Sequence, residues 1–357
     1  MDICPLDVVE AIIYNRNVIG RRVWGWGFLV GLGLILALRP GPVGGVGQVS
    51  VSLTAPALSW NIDRIKAPQA WSITQGSPEI VVAVIDSGID FSLPALAEVR
   101  WVNPKESING RDDDGNGYVD DLYGWDFREN VPAHLRRTAL HYHGTAVASV
   151  IAAYAKELVG VAPRVRIMDV RFLDSQGLFY ERDWQKLAQA IDYAVQNGAR
   201  IINLSIYAKV SPPAVVVDAL RRAWEKGVIV VTIAGNEGRA GVNLLGRSPY
   251  VLTVAATDRS DRPASFSSFG PEVDLSAPGV EIPVLLPKGG VGSFSGTSFA
   301  APHVSGALAL ILSANPKLSG PQAVDILLRT CTRLEAEELR VGKGLVDAAR
   351  AVATAIP

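Results

Sequence analysis

This chain of 357 residues is short of cysteine, of charge and of charge imbalance. Its two cysteines, Cys4 and Cys331, stand at opposite ends, so no disulfide framework staples the fold. Cys331 reads as a small buried apolar residue and not as a reactive thiol. Lys plus Arg number 34 against 35 Asp plus Glu, which leaves no basic excess to attract nucleic acid or an anionic membrane face. Charged residues are only 19% and apolar ones 48%, which excludes bulk disorder and supplies a sizeable core. Internal repeats and low-complexity tracts are also missing. The length suits one large domain or two modest ones.

What is present begins with an apolar leader. Arg16, Arg21 and Arg22 precede "VWGWGFLVGLGLILAL" (23–38), an uncharged run of 16 residues closed by Arg39 and "PGPVGG". As a helix it reaches about 24 Å, short of the roughly 30 Å hydrocarbon core of a bilayer. A signal-peptide core and a short membrane anchor with Trp24 and Trp26 near the headgroups are therefore both open, in a segment 1–39. The leading arginines favour the cytoplasmic side, which predicts an extracytoplasmic protein, secreted or anchored to the outer face of the membrane. Residues 40–58, uncharged and rich in Gly, Pro, Val and Ser, read as a flexible linker.

Beyond the linker, β-rich apolar runs recur: "IVVAVI" (80–85), "VRIMDV" (165–170), "RIINLS" (200–205), "VIVVTI" (228–233) and "VLTVAA" (251–256). Helix-periodic segments lie between them, such as 183–198 and 214–227, each closing on a glycine. Near-continuous apolar strands alternating with helices predict an α/β fold, a mostly parallel, doubly wound sheet with helices on both faces. Such sheets gather their chemistry at the carboxyl ends of the strands. There the sequence places Asp86 in "VIDSGID" and Asn236 in "AGNEG".

Two further segments carry reactive side chains at predicted helix starts. "HYHGTAVASVIAA" (141–153) holds His143, and "SFSGTSFAAPHVSGALALIL" (293–312) holds Ser298. A hydroxyl nucleophile, an imidazole to take its proton and a carboxylate to fix the imidazole tautomer are the three groups that serine acyl transfer needs. An amide on a rigid turn can donate to the developing oxyanion, the role that suits Asn236. Each motif alone has a bland reading, an aspartate in a turn or a serine capping a helix. Four together at the expected positions leave little room for it. Of the other histidines, His134 and His141 fall in a polar loop and are expected to be solvated. Pro302 is expected in the first turn of its helix, where backbone donors lack partners anyway.

The order Asp, His, Asn, Ser in "VIDSGID", "HGTAVAS", "AGNEG" and "GTSFAAPHVSG" resembles the subtilisin family of serine proteases, from about residue 58 to residue 355. The resemblance implies a catalytic domain over 59–357, a triad of Asp86, His143 and Ser298, an oxyanion hole completed by Asn236, and a structural role for His303. It also implies substrate contacts at Ser205, Ile206 and Tyr207, which match the strand that pairs with the substrate backbone, and at Ala234 and Gly235 in the primary side-chain pocket. Here the chain departs from the family pattern, with Tyr207 and Ala208 in place of paired glycines. Glu237 either biases that pocket towards basic residues or faces solvent. A second departure, "HGTAVAS" for the common "HGTHVAG", leaves the imidazole untouched.

"NGRDDDGNGYVDDLYGWDF" (109–127) sets Asp112, Asp114, Asn116 and Asp120 at positions 1, 3, 5 and 9 of a tight loop, with Gly117 at the turn. Those oxygen donors suit Ca²⁺, although Tyr123 stands where an EF-hand has its glutamate. Acidic loops in that place resemble those of calcium-binding subtilases, whereas "YAKELVGVAP" lacks the asparagine-bearing calcium loop of many relatives. No organic cofactor is expected. The stretch between leader and catalytic domain is about twenty residues, too short for a core of its own, so folding without a prodomain is expected. The expected activity is peptide-bond hydrolysis by a monomer acting on peptide or protein substrates. A non-catalytic peptide-binding module and peptide ligation on the same fold are the alternatives.

Overall fold

A computed structural model describes residues 59–356, so the leader and the linker lie outside the described residues. The chain enters through two short helices, α1 (Trp60–Arg64) and α2 (Ala67–Ala70). It then lays down β1 (Val81–Asp86), α3 (Pro94–Ala97), β2 (Gly124–Asp126), β3 (Val131–Pro132), α4 (Tyr142–Ala152), β4 (Arg166–Arg171) and α5 (Trp184–Gln196). Next come β5 (Ile201–Leu204), α6 (Ala214–Glu225), β6 (Ile229–Ile233), β7 (Val251–Thr257), β8 (Leu275–Pro278), β9 (Ile282–Leu285) and β10 (Val291–Phe294). The chain closes with α7 (Thr297–Ala314), α8 (Gly320–Thr330), α9 (Glu338–Val341) and α10 (Ala348–Ala355).

Eight strands form one sheet in the order β3-β2-β4-β1-β5-β6-β7-β8, with β9 and β10 as a separate hairpin. Every neighbouring pair is parallel except β2 with β3. The five apolar runs read from sequence are β1, β4, β5, β6 and β7, and the two periodic segments are α5 and α6. Strand β1 shows why continuous apolarity was needed. Val82 and Val84 pack into the layer that contains Val304, Leu308 and Ile311 of α7, while Ala83 and Ile85 face the layer of α5 and α6. With both faces covered, no position on the strand can be polar without a partner.

The strand order reverses at β1, with β4 on one side and β5 on the other. A crevice opens outside the carboxyl ends at such a switch point. α7 runs beneath it as the core helix of one layer. It is the one described helix long and apolar enough to cross a membrane, yet 89% of it is buried inside the protein. Cys331 is buried too, and burial pushes its thiol up to about 12, which keeps it unreactive as expected.

Candidate active site

Asp86 is the last residue of β1 and is fully buried. Both of its carboxylate oxygens lie 2.9 Å from His143 Nδ1, and Oδ1 also accepts the Ser87 amide at 2.7 Å. His143 sits one residue into α4, whose N-cap residue His141 provides no side-chain cap. The cap comes from outside the helix: Ser87 Oγ accepts the Gly144 amide at 2.9 Å and donates to the His141 carbonyl at 3.1 Å. A Cβ on Gly144 would stand 2.5 Å from the Gly88 carbonyl oxygen. Glycine there is the condition for bringing the imidazole up to the end of β1.

A buried ionic network anchors the chain on its way into α4. Arg171, fully buried on β4, donates to Asp126 (3.0 Å), Glu129 (3.3 Å) and Thr138 (2.8 Å). Arg136 bridges Asp126 (3.0 Å) and Asp169 (2.9 Å). Every charge in it meets an opposite one, the condition under which buried charge is tolerated. His141, expected to be solvated, is instead packed on Tyr142 at 4.4 Å between ring centroids. Burial holds its pKa below the ordinary histidine value. The strand-end turn and α4 close around that loop, which local polarity does not reveal. His134 is half-buried in a short 3₁₀ turn over 133–135.

Ser298 is the second residue of α7, and the cap position belongs to Gly296, so its hydroxyl is not a cap. Ser298 and His143 are each 3% exposed at the crevice. The His143 ring lies 5.6 Å from that of Phe299, the residue following Ser298. Asp86 commits Nδ1, which leaves Nε2 as the nitrogen able to take a proton. Pro302 lies beyond the first turn, as the sixth residue of α7. Lacking N–H, it cannot donate to the Ser298 carbonyl one turn back. Ser205 Oγ takes that carbonyl at 3.1 Å. Asn203 Nδ2 in turn donates to Ser205 Oγ at 2.9 Å, and Asn203 Oδ1 accepts Ser305 Oγ at 2.8 Å. A lone amide inside the apolar run "RIINLS" was the sequence signal for this support. His303 is fully buried, with Nδ1 donating to the Phe299 carbonyl and Nε2 accepting from Asn61, both at 2.8 Å.

Asn236 follows β6 and meets the start of α7. Its Oδ1 accepts the Thr297 amide and the Thr297 hydroxyl, each at 2.8 Å. With the acceptor atom spent, the Nδ2 donors point away from Thr297. The Ser298 amide is a first-turn donor with no acceptor inside the helix. Two donors of this kind at one helix start suit a developing anion. Ile206 and Ala234 are buried and Ser205 is fully so, while Tyr207 is half-buried against Gly235. Glu237 is partly exposed. Its carboxylate is held by Arg239 Nε at 2.6 Å and by the Tyr207 side chain.

In the acidic loop, carboxylates of Glu106, Asp112 and Asp114 offer oxygens within 4.8 Å of one another. Glu106, only 6% exposed, accepts the Asp113 amide on Oε1 at 2.6 Å and has no partner for Oε2. It stands six residues before Asp112 in the same loop, and reading by a fixed spacing passed it over. Asn116 lies beside this group, its amide donating to Asp121 at 3.1 Å. Asp120 is turned elsewhere, accepting the Asn109 and Gly110 amides at 2.8 Å.

A parallel α/β sheet with a carboxylate-bound imidazole at one strand end and a serine at the start of a neighbouring core helix is the setting in which the known relatives are to be read. The chain matches the model of the subtilase family (peptidase S8) over residues 77–344. It belongs to that family. It is 35% identical over 301 residues to a subtilisin of Bacillus pumilus, spanning 82% of this chain and 98% of that one. It is 32% identical over 289 residues to thermitase of Thermoactinomyces vulgaris, spanning 81% and 94%. Among solved structures, the prenylagaramide maturation protease PagA is similar with a TM-score of 0.66 and 27% identity over 81% of this chain and 98% of that one. The enzyme is a subtilisin-like serine protease, and its substrates are peptides or proteins.

Proposed function

We propose that the domain 59–357 hydrolyses peptide bonds through Ser298, His143 and Asp86, with an acyl-enzyme intermediate. The observation that carries this reading is the double approach of Asp86 to His143 Nδ1, 2.9 Å from each oxygen, which fixes the tautomer with Nε2 unprotonated. Nε2 takes the proton of Ser298 Oγ as that oxygen attacks the scissile carbonyl. Asn236 Nδ2 and the Ser298 amide receive the oxyanion. The imidazolium then gives its proton to the leaving amine, and water reverses the sequence to release the acid. Labelling with a fluorophosphonate tests the assignment. Wild type is expected to label and Ser298→Ala not to; equal labelling or equal peptidase activity of the two sinks it.

We further place Ca²⁺ as a structural ion on Glu106, Asp112 and Asp114, with Asn116 as a neighbouring oxygen donor. The orphaned Oε2 of the buried Glu106 supports the fit, since a buried carboxylate oxygen needs a partner. Hard oxygen donors of this kind suit calcium. The ion would tie together a loop that carries five aspartates between residues 112 and 121. The arginine-flanked apolar leader supports a location outside the cytoplasm, secreted or held at the membrane.

A further inference from the structure

The proposed catalytic groups fix where a substrate must lie. Its scissile carbonyl has to sit between Ser298 Oγ and Asn236 Nδ2. By the resemblance to the subtilisin family, the side chain of the residue carrying that carbonyl falls between the two chain segments that leave β5 and β6. Ser205 is tied to the Ser298 carbonyl on one side, and Asn236 ends the other. β5 and β6 are in parallel register with Leu204 beside Thr232, and continuing that register sets Tyr207 beside Gly235.

That space is filled from within. A Cβ on Gly235 would stand 2.9 Å from Tyr207 Cε2 and 3.3 Å from Cδ2, so the tyrosine ring reaches across to the opposite wall. The φ of Gly235, +106°, is also one that a side chain would strain. The ring is tethered, because the Tyr207 side chain bonds both Glu237 and Arg239, which pair with each other. The walls do not spread to make room. Buried Asn243 donates to the Ile206 carbonyl at 2.9 Å and accepts the Ala208 amide at 2.8 Å, while its own amide donates to the Ala234 carbonyl at 2.7 Å. A cavity of about 470 Å³ does exist, lined by Tyr207, Lys209, Glu237, Arg239, Leu244 and Arg247. Ser205, Asn236 and Ser298 take no part in its lining.

We propose that Tyr207 walls off the subsite for the residue preceding the scissile bond and confines this protease to small side chains there, glycine, alanine or serine. The inference rests on the catalytic roles given above to Ser298 and Asn236. Large side chains are refused because the ring takes their volume, and a single methylene of misfit in a fixed pocket already costs about 10- to 200-fold in kcat/KM.

The test compares peptides that differ only at that residue (Gly, Ala, Ser, Leu, Phe), with active enzyme counted by fluorophosphonate labelling. Wild type should favour Ala over Phe by about 100-fold, and Tyr207→Gly should lower the ratio by about 10-fold or more. Glu237→Ala, which frees the ring without removing it, should give an intermediate ratio and serves if Tyr207→Gly does not fold. Labelled wild type that cuts after Phe as well as after Ala overturns the inference. So does a labelled Tyr207→Gly enzyme with an unaltered ratio. Wild type that takes no label overturns the catalytic assignment first, and this inference with it.

Discussion

Asn236 has its direction set by a single atom. Thr297 occupies Oδ1 twice, and rotating the amide would set an N–H against the Thr297 backbone N–H, which can only donate. The donors are therefore fixed before substrate arrives, and fixed dipoles need no reorganisation as charge develops. Asn236→Ala is expected to lower kcat about 10²–10³-fold with KM little changed, a magnitude that belongs to subtilisin's own oxyanion asparagine and is carried over through the family. Steady-state kinetics check it, and an equal rise in KM would mean the amide binds ground state and not transition state. Ser298→Ala, by the same family transfer, removes about 10⁶-fold of kcat. At this scale the places of the candidate residues Asp86, His143, Asn236 and Ser298 were legible in the sequence, because each sits in a short motif at a strand end or helix start. The sequence was not legible for Glu106 or Asn243, whose importance comes from partners that only the folded chain brings to them.

α7 shows how an element holds the serine proposed as nucleophile. A proline one turn after Ser298 costs an intrahelical hydrogen bond, and the freed carbonyl becomes the point where the chain after β5 is fastened. His303 on the same helix has no solvent at all, and burial lowers its pKa to about 4. A depressed histidine stays neutral in the fold and takes up a proton on unfolding, so its stabilisation is lost as pH falls from about 6.5 through 4. The size is about 3 kcal/mol. Asp274, leading into β8, goes the other way: burial raises it to about 6, although it accepts the Thr253 amide at 2.7 Å. A raised carboxyl binds its proton more tightly when folded, so it contributes stability below about 3.8 that is lost as pH rises through 6, again about 3 kcal/mol. The two cancel to first order between pH 4 and 6. Asp274→Asn in a Ser298→Ala background should therefore melt higher than its parent at pH 8 and lose stability more steeply on acidification. Thermal melts from pH 8 to 4 decide it; parallel curves for the two proteins would show that Asp274 is not buried as a charge.

Over the whole molecule, the sheet brings to one edge residues that are far apart in the chain, 57 residues from Asp86 to His143. The acidic loop lies between them and leads into the strand pair β2–β3 and the arginine network that sets the start of α4. A calcium ion there would stabilise the approach to the site by mass action, about 2.7 kcal/mol at a hundred times its Kd. Chelator is expected to lower the melting temperature of Ser298→Ala protein by several degrees, and Glu106→Gln should abolish that difference. A melting curve indifferent to both chelator and added Ca²⁺ removes the ion from the account. The sequence by itself determined the five central strands, the layers and the candidate reactive groups, because apolar periodicity and short motifs are local and a strand buried on both faces must be mostly apolar, its few polar side chains partnered. The tertiary structure alone decided which carbonyl Ser205 takes, that His141 is half-buried against Tyr142, that Asp120 turns away from its acidic neighbours, and that Tyr207 lies across Gly235. Those are contacts between segments distant along the chain, and a side chain's direction is settled only by what packs against it.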